Sequence, residues 1–340
     1  MEGHSAPGGY RPEVPDSAAL IAWPDDFGQR FTIMVDTEEE FDWSKPFSRD
    51  GFTIEAVAAL TTAHRRFADW GAPLTYMVDY PIASDRDAVA VLSDLMSDGR
   101  SAIGTQLHPW VSPPFDEELN TFNSFAGNLA PGLEVAKIAA LTDLIETQFG
   151  RRPISYRSGR YGIGPNTLAA LSRLGYRIDS SMRARYDYRV GGGPDFRGIG
   201  NEAFRAGPDG SVAELPLTTV FVGAMRGMGQ ALHGTLRHLP LVHGVLARTG
   251  MLQAIALTPE DMPVALALEA VRRAVGDGVR LLNFSFHSPS VMPGKTPYVR
   301  DAADLMAFYA WWEQVFALLD RLGVRAAGQG DLIEALDRAR

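Results

Sequence analysis

Hydrophobic and polar positions along the chain fall into two alternating periods. Phe31, Ile33 and Val35 alternate with Thr32 and Met34, which predicts a strand over 30–36. The same reading predicts strands over 73–79, 101–107, 153–157, 176–179, 212–217, 280–286 and 324–327. Between them lie helical patterns over 53–70, 85–98, 132–149, 164–174, 259–276 and 301–322. In the first, Ile54, Val57, Ala58 and Leu60 share one side; in the last, Leu305, Phe308, Trp312, Phe316 and Leu319 form a core-facing stripe. Gly71, Gly99, Gly150, Gly175 and Gly323 each follow a helical segment and read as C-caps.

Alternating strands and helices predict a parallel α/β architecture. Seven or eight such units in one block, with no domain linker between them, fit a closed or nearly closed β/α barrel better than two domains on an open sheet. A Gly/Pro-rich arm occupies residues 1–27, and the barrel is expected over 28–335. The rhythm breaks over 180–258, where the Gly191-Gly192-Gly193-Pro194 turn and the 220–250 stretch read as an insertion over the barrel mouth. There is no internal repeat, phosphate loop or dinucleotide fingerprint.

Composition narrows the classes. At 340 residues, 46% hydrophobic and 21% charged, the chain can bury a large core. It has no apolar run of transmembrane length and no signal-peptide pattern at its start, so the expected location is the cytoplasm. A formal charge of −9 argues against nucleic acid as a partner, although Arg183, Arg185 and Arg189 form a local basic cluster. With no cysteine, disulfides, thiolate nucleophiles and cysteine-bound zinc are excluded; any metal must use His, Asp, Glu or amide oxygen.

Chemistry-bearing residues gather where predicted strands end, the edge at which parallel barrels build their sites. The run FTIMVDTEEEFDW drives the first strand into four carboxylates, with Asp36 at the exit. Asp36 and Glu38 can share a face, one free to act as a base and the other to hold a cation. Gln106 and His108 share a face if their strand continues into QLHPW. Arg157 lies in YRSGRYG, and His287 precedes Ser288-Pro289 at the end of another apolar strand. Such convergence at one edge points to a site. His233, His238 and His243 are five apart, which scatters them around a helix, so they read as surface or lid residues. Loop 294–300, GKTPYVR, offers Lys295 for an anionic group or stands as a solvated loop.

Over about residues 28–330 the chain resembles the polysaccharide deacetylase superfamily, metal-dependent carbohydrate esterases and amidases with an incomplete (β/α)7 barrel. The likeness rests on DTEEEFDW, QLHPWVSPP, YRSGRYG and FHSPSVMPGKTPYVR and is nearest to a bacterial subgroup with those blocks. It implies an α/β, single-domain distorted (β/α)7 barrel with the insertion near 180–258. It implies Asp36 as the catalytic base, Glu38 as a metal ligand, Arg157 as the residue that orients the base and His287 as the general acid. The family's second motif carries two histidines four residues apart, at positions filled here by Gln106 and Trp110. That leaves His108 as the imidazole ligand and Glu38, His108 and Gln106 as the metal set, harder than the family's Asp with two His. Glu214-Leu215-Pro216 matches a segment that often lies along the site.

What the resemblance implies is a hydrolase that uses a divalent metal ion, zinc or another, to remove N-acetyl groups from a polysaccharide or a sugar-containing precursor. The tetrahedral oxyanion would be met by the metal and a backbone N–H after the first acidic residues. Trp43, Trp110, Tyr161 and Tyr298 are the expected sugar-stacking walls, an N-acetylated carbohydrate being the partner. Two other readings use the same barrel: an inactive, metal-free carbohydrate-binding relative, and a hydrolase of a small amide or ester. Catalysis requires Asp36, Glu38, His108 and His287 in one pocket with Arg157 behind Asp36, and His287 within about 10 Å of Asp36.

Overall fold

The computed structural model describes residues 9–42, 45–225, 227 and 252–339. Trp43 and the three histidines His233, His238 and His243 lie outside the described residues. The strands are β1 (Arg30–Thr37), β2 (Thr75–Val78), β3 (Ala102–Leu107), β4 (Ser155–Ser158), β5 (Ile178–Asp179), β6 (Phe204–Ala206), β7 (Val212–Glu214), β8 (Thr219–Val222), β9 (Gln253–Ala256), β10 (Leu281–His287) and β11 (Arg325–Ala326). Seven are parallel neighbours in the order β10-β1-β2-β3-β4-β5-β7; β6 closes the far edge antiparallel, and β11 pairs with the start of β1.

The sheet curls without sealing. Across the opening between β10 and β7, Asn283 Nδ2 donates to Leu215 O at 2.7 Å and to Ser180 Oγ at 2.8 Å, and Thr218 N donates to Asn283 O at 3.2 Å. The antiparallel β8–β9 pair lies beside this gap, where Ser285 N reaches Leu257 O at 3.2 Å. The result is a distorted β/α barrel with seven parallel strands, as the alternation and the resemblance imply.

Strand parity decides which residues enter the interior. On β1, Phe31, Ile33 and Val35 pack outward beneath the helices, whereas Met34 joins an inner cluster with Met77, Ile178 and Ala213. Asp36 has the parity of Met34 and therefore points inward at the strand's C-terminal end. On β10, Leu282, Phe284 and Phe286 face the helices, which leaves Asn283, Ser285 and His287 inside. The interior is thus apolar below and polar at the top.

The predicted stripe on helix Ala302–Arg321 is core: Phe308, Trp312, Phe316 and Leu319 are buried, with Trp312 stacked at 24° on Phe316 and edge-on to Phe67. Several helical boundaries shift from the periodic pattern, two of them by more than a turn. The 53–70 segment is a 3-10 turn (Glu55–Ala59) followed by an α-helix (Leu60–Asp69). The helix read as starting at 259 begins at Val264, because Pro263 disfavours helix at the residue before it and instead serves as the N-cap. Residues 258–261 are freed as a loop over the barrel mouth. Among the described residues no helix is long and apolar enough to cross a membrane.

Candidate active site

The register β10-β1 sets Asp36 directly beside His287, and β3-β4 sets Gln106 beside Arg157. Arg157 is buried, and its guanidinium makes four hydrogen bonds: Nη1 donates to Asp36 Oδ1 at 2.7 Å and to Ser285 Oγ at 2.5 Å, Nε to Ser180 O at 3.0 Å, and Nη2 to Ser180 Oγ at 2.9 Å. Asp36 Oδ2 stays open toward the cavity, 3.8 Å from His287 Nε2. One oxygen of Asp36 is anchored and the other faces a proton donor.

His287 is held from behind by Glu260, a residue the periodic reading hid inside a helix. Glu260 Oε2 lies 2.6 Å from His287 Nδ1, while its Oε1 accepts from His287 N at 3.1 Å and Ser290 Oγ at 2.5 Å. Burial alone would lower the His287 pKa, but the Glu260 and Glu38 carboxylates lift it to about 10. Burial also acts against the Glu260 carboxylate, yet the His287 cation and these hydrogen bonds keep it below the usual carboxylate range. His287 therefore carries its proton at neutral pH, with Nε2 toward Asp36.

A second histidine is oriented the same way. His108 Nδ1 lies 2.8 Å from Glu39 Oε2, and Trp110 Nε1 donates to Glu39 Oε1 at 2.8 Å. Glu39 N donates to Asp79 Oδ2 at 2.8 Å, and Ile82 N to Asp79 Oδ1 at 2.9 Å. Burial pushes Glu39 up to about 8 and Asp79 well above its ordinary value. Gly159 lies flat against the ring, where a Cβ would come within 2.2 Å of His108 Cδ2.

Glu39, Asp79 and His108 form a buried acidic and histidine group able to hold a metal ion, their ligand atoms lying within 4.8 Å of one another. Each of the four carboxylate oxygens, however, already meets an N–H group. The face open to the cavity is different: Glu38 Oε2 is 3.4 Å from His108 Nε2, and the Gln106 amide nitrogen is 2.9 Å from Glu38 Oε2 and 3.3 Å from His108 Nε2. Donor atoms around a divalent ion stand about 3–3.4 Å apart when bonds are near 2.1 Å; two edges of this triangle match that spacing and the Glu38–Gln106 edge is slightly shorter. Gln106 Oε1 is buried with no hydrogen-bond partner, and turning the amide over brings that oxygen onto the face. Burial lifts Glu38 to about 7 against the pull of His287 and His108.

Asp36, Glu38, Gln106, His108, Arg157 and His287 all line one cavity of about 410 Å³, together with Tyr161 and Tyr298. Two expectations, on Trp110 and the oxyanion donor, are corrected, and two open readings, on Lys295 and Glu214, are resolved. Trp110 is 2% exposed and stacks on the back of His108 at 4.3 Å; it braces the imidazole and forms no wall of the cavity. The N–H groups following Asp36 are committed elsewhere, Glu38 N to Ser288 Oγ, Glu39 N to Asp79 and Glu40 N to Thr53 O, so they offer no oxyanion donor. Lys295 does not wait for an anion: Glu40 and Glu55 hold it at 3.0 and 2.6 Å. Glu214 lies below the site, accepting from Met182 N at 3.0 Å, and burial together with the facing Asp179 carboxylate raises its pKa well above the ordinary carboxylate value.

Comparison with known proteins gives the fold. No protein-family model matches the sequence, and no curated protein does. Among solved structures, a Mycobacterium smegmatis protein bearing the name polysaccharide deacetylase superposes with a TM-score of 0.55 at 15% identity, covering 96% of each chain. A 4-alpha-glucanotransferase from Thermococcus litoralis gives 0.51 at 11% identity, over 90% of this chain and 40% of that one. The chain thus has the curled barrel of the polysaccharide deacetylases. That a glucanotransferase shares it means the reaction must be argued from the site.

Proposed function

We propose that the protein is a hydrolase that removes acetyl groups from the amino groups of a carbohydrate. The observation that carries this reading is Asp36, with one oxygen fixed by Arg157 and the other 3.8 Å from a His287 that is itself fixed by Glu260. Base and acid face one cavity, each with a dedicated partner.

Asp36 Oδ2 takes a proton from the attacking water, whose oxygen adds to the acetyl carbon. Arg157 holds Oδ1 and so keeps Oδ2 pointed at the water. His287 Nε2–H gives its proton to the sugar nitrogen as the C–N bond breaks, and acetate and a free amine leave. Glu260 holds the opposite ring nitrogen and stabilises the imidazolium before transfer. A divalent ion held by Glu38, His108 and Gln106 would supply positive charge beside the acetyl oxygen. Glu39 fixes the His108 tautomer with Nε2 bare toward that position. Tyr161 and Tyr298 supply aromatic and hydroxyl surface for the sugar.

The arrangement favours catalysis over an inactive carbohydrate-binding role, since a binding site has no use for a base and an acid each held by its own buried partner. The test is metal content of protein purified without added metal or chelator, paired with acetate release from N-acetylated oligosaccharides with and without zinc, cobalt or manganese. Acetate appearing one-for-one with free amine supports the reading; sugar binding with no acetate under any metal condition rejects it.

A further inference from the structure

The cavity is charged at two levels. On its floor each carboxylate has a partner: Asp36 has Arg157, Glu260 has His287 and Ser290, and Glu38 has the Gln106 amide. Arg160, Arg183 and the exposed Asp261 also line the cavity, and no carboxylate among the described residues lies in ion-pair distance of either arginine. Of the undescribed residues, Glu2 alone has an acidic side chain. This is unusual company for a chain of net charge −9. Nearby cations are matched: Arg189 and Arg197 share Asp187 and Asp195, and Lys295 is held by two glutamates.

Both guanidiniums are posed by aromatic rings, which orient a cation and leave its charge uncompensated. Arg183 lies 4.0 Å over Tyr186, and its part-buried side chain has an Nε with no hydrogen-bond acceptor. Arg160 lies 4.1 Å over Phe125 and 5.2 Å from Phe47, tied on one edge to Ser124 Oγ. Its backbone is strained. Arg160 and Tyr161 are consecutive non-glycine residues with φ of 56° and 57°, a left-handed conformation that costs each about 1 kcal/mol or more. Both of their side chains line the cavity, so the strain coincides with a specific presentation toward the ligand.

We propose that the substrate is anionic: an N-acetylated saccharide whose carboxylate or phosphate is received by Arg183 and Arg160 while its acetamido group lies over Asp36 and His287. The inference rests on the hydrolase reading for the position of the acetamido group, but the anion site stands on the arginines alone. A guanidinium fork matches either anion bidentately, and Tyr161, Tyr186 and Tyr188 add ring and hydroxyl surface for the intervening sugar.

The test measures binding by calorimetry at low and high salt, and acetate release, for three probes. These are the neutral N,N′-diacetylchitobiose, a disaccharide of an N-acetylhexosamine with a uronic acid, and N-acetylglucosamine 6-phosphate. The expected result is at least about 10-fold tighter binding of one acidic probe than of the neutral one, weakening with salt. Arg183→Met and Arg160→Met, each checked for folding by its thermal melt, should bring that ratio toward one. Which acidic probe prevails identifies the anion. Equal or better binding of the neutral sugar, or an acidic preference unchanged in both variants, overturns the proposal even if acetate is released. Arginine-dependent binding of an acidic probe with no acetate from any sugar upholds the anion site and removes the hydrolase reading.

Discussion

His287 Nε2 stands 3.8 Å from Asp36 Oδ2, across neighbouring positions of two parallel strands. The two groups meet because β10 and β1 are in register at their last inward-facing residues. Neither is free to turn away, since Glu260 holds one and Arg157 the other. Removing either holder should therefore change how its partner behaves.

Glu260→Gln removes the carboxylate that most raises His287. With His287 as the acid, activity requires its protonated form, which is present below the folded pKa of about 10 and lost as pH rises through it. In the variant the alkaline limb of the rate profile moves to lower pH, toward the ordinary histidine value, with its acidic limb in place. An alkaline limb that does not move would remove Glu260 from this role. His287→Ala should slow turnover by roughly 10²- to 10⁴-fold, from the usual worth of a positioned acid.

Arg157→Ala leaves Asp36 as a buried carboxylate without its cation and empties a guanidinium-sized space among Ser180 and Ser285. Breaking a buried pair from one side costs about 3–5 kcal/mol. Denaturant unfolding of the variant should show a loss of that order, and Arg157→Lys should recover only part of it because one ammonium does not replace the fork.

Gln106 occupies the corner of the open face where the family resemblance places a histidine. Gln106→His should tighten zinc binding, because imidazole suits zinc better than an amide oxygen does. Glu39→Gln should weaken it by about 10- to 100-fold through loss of the His108 brace. Equilibrium dialysis reads both without reference to activity. Unchanged zinc affinity in both variants would place the metal elsewhere.

Much of this was legible in the chain. Strand parity placed Asp36, Arg157 and His287 on the inner face, and the Pro-flanked strand exits located His108 and His287. What stayed hidden was the partner of each. Glu260 is 27 residues from His287, and Glu39 is 69 from His108; no local period links residues that meet only when the sheet curls. Pro263 was the available signal for Glu260, since a helix starting after it leaves 258–261 as loop. Trp110 misled for a related reason: an aromatic next to a ligand histidine reads equally as a wall or as a brace, and only burial separates the two. Lys295 and Arg183 both read as anion-seeking cations, and the fold gave carboxylates to the first alone.

Asp36 as the base of an acetyl-releasing reaction is tested by acetate release from Asp36→Asn beside the native protein, on a sugar whose binding to both is followed by calorimetry. The substituted amide keeps an oxygen that can accept from Arg157, so fold, metal content and sugar affinity should persist. Acetate release should fall by about 10²- to 10⁴-fold, because the amide cannot take the water proton. Release at the native rate from the variant would contradict this assignment.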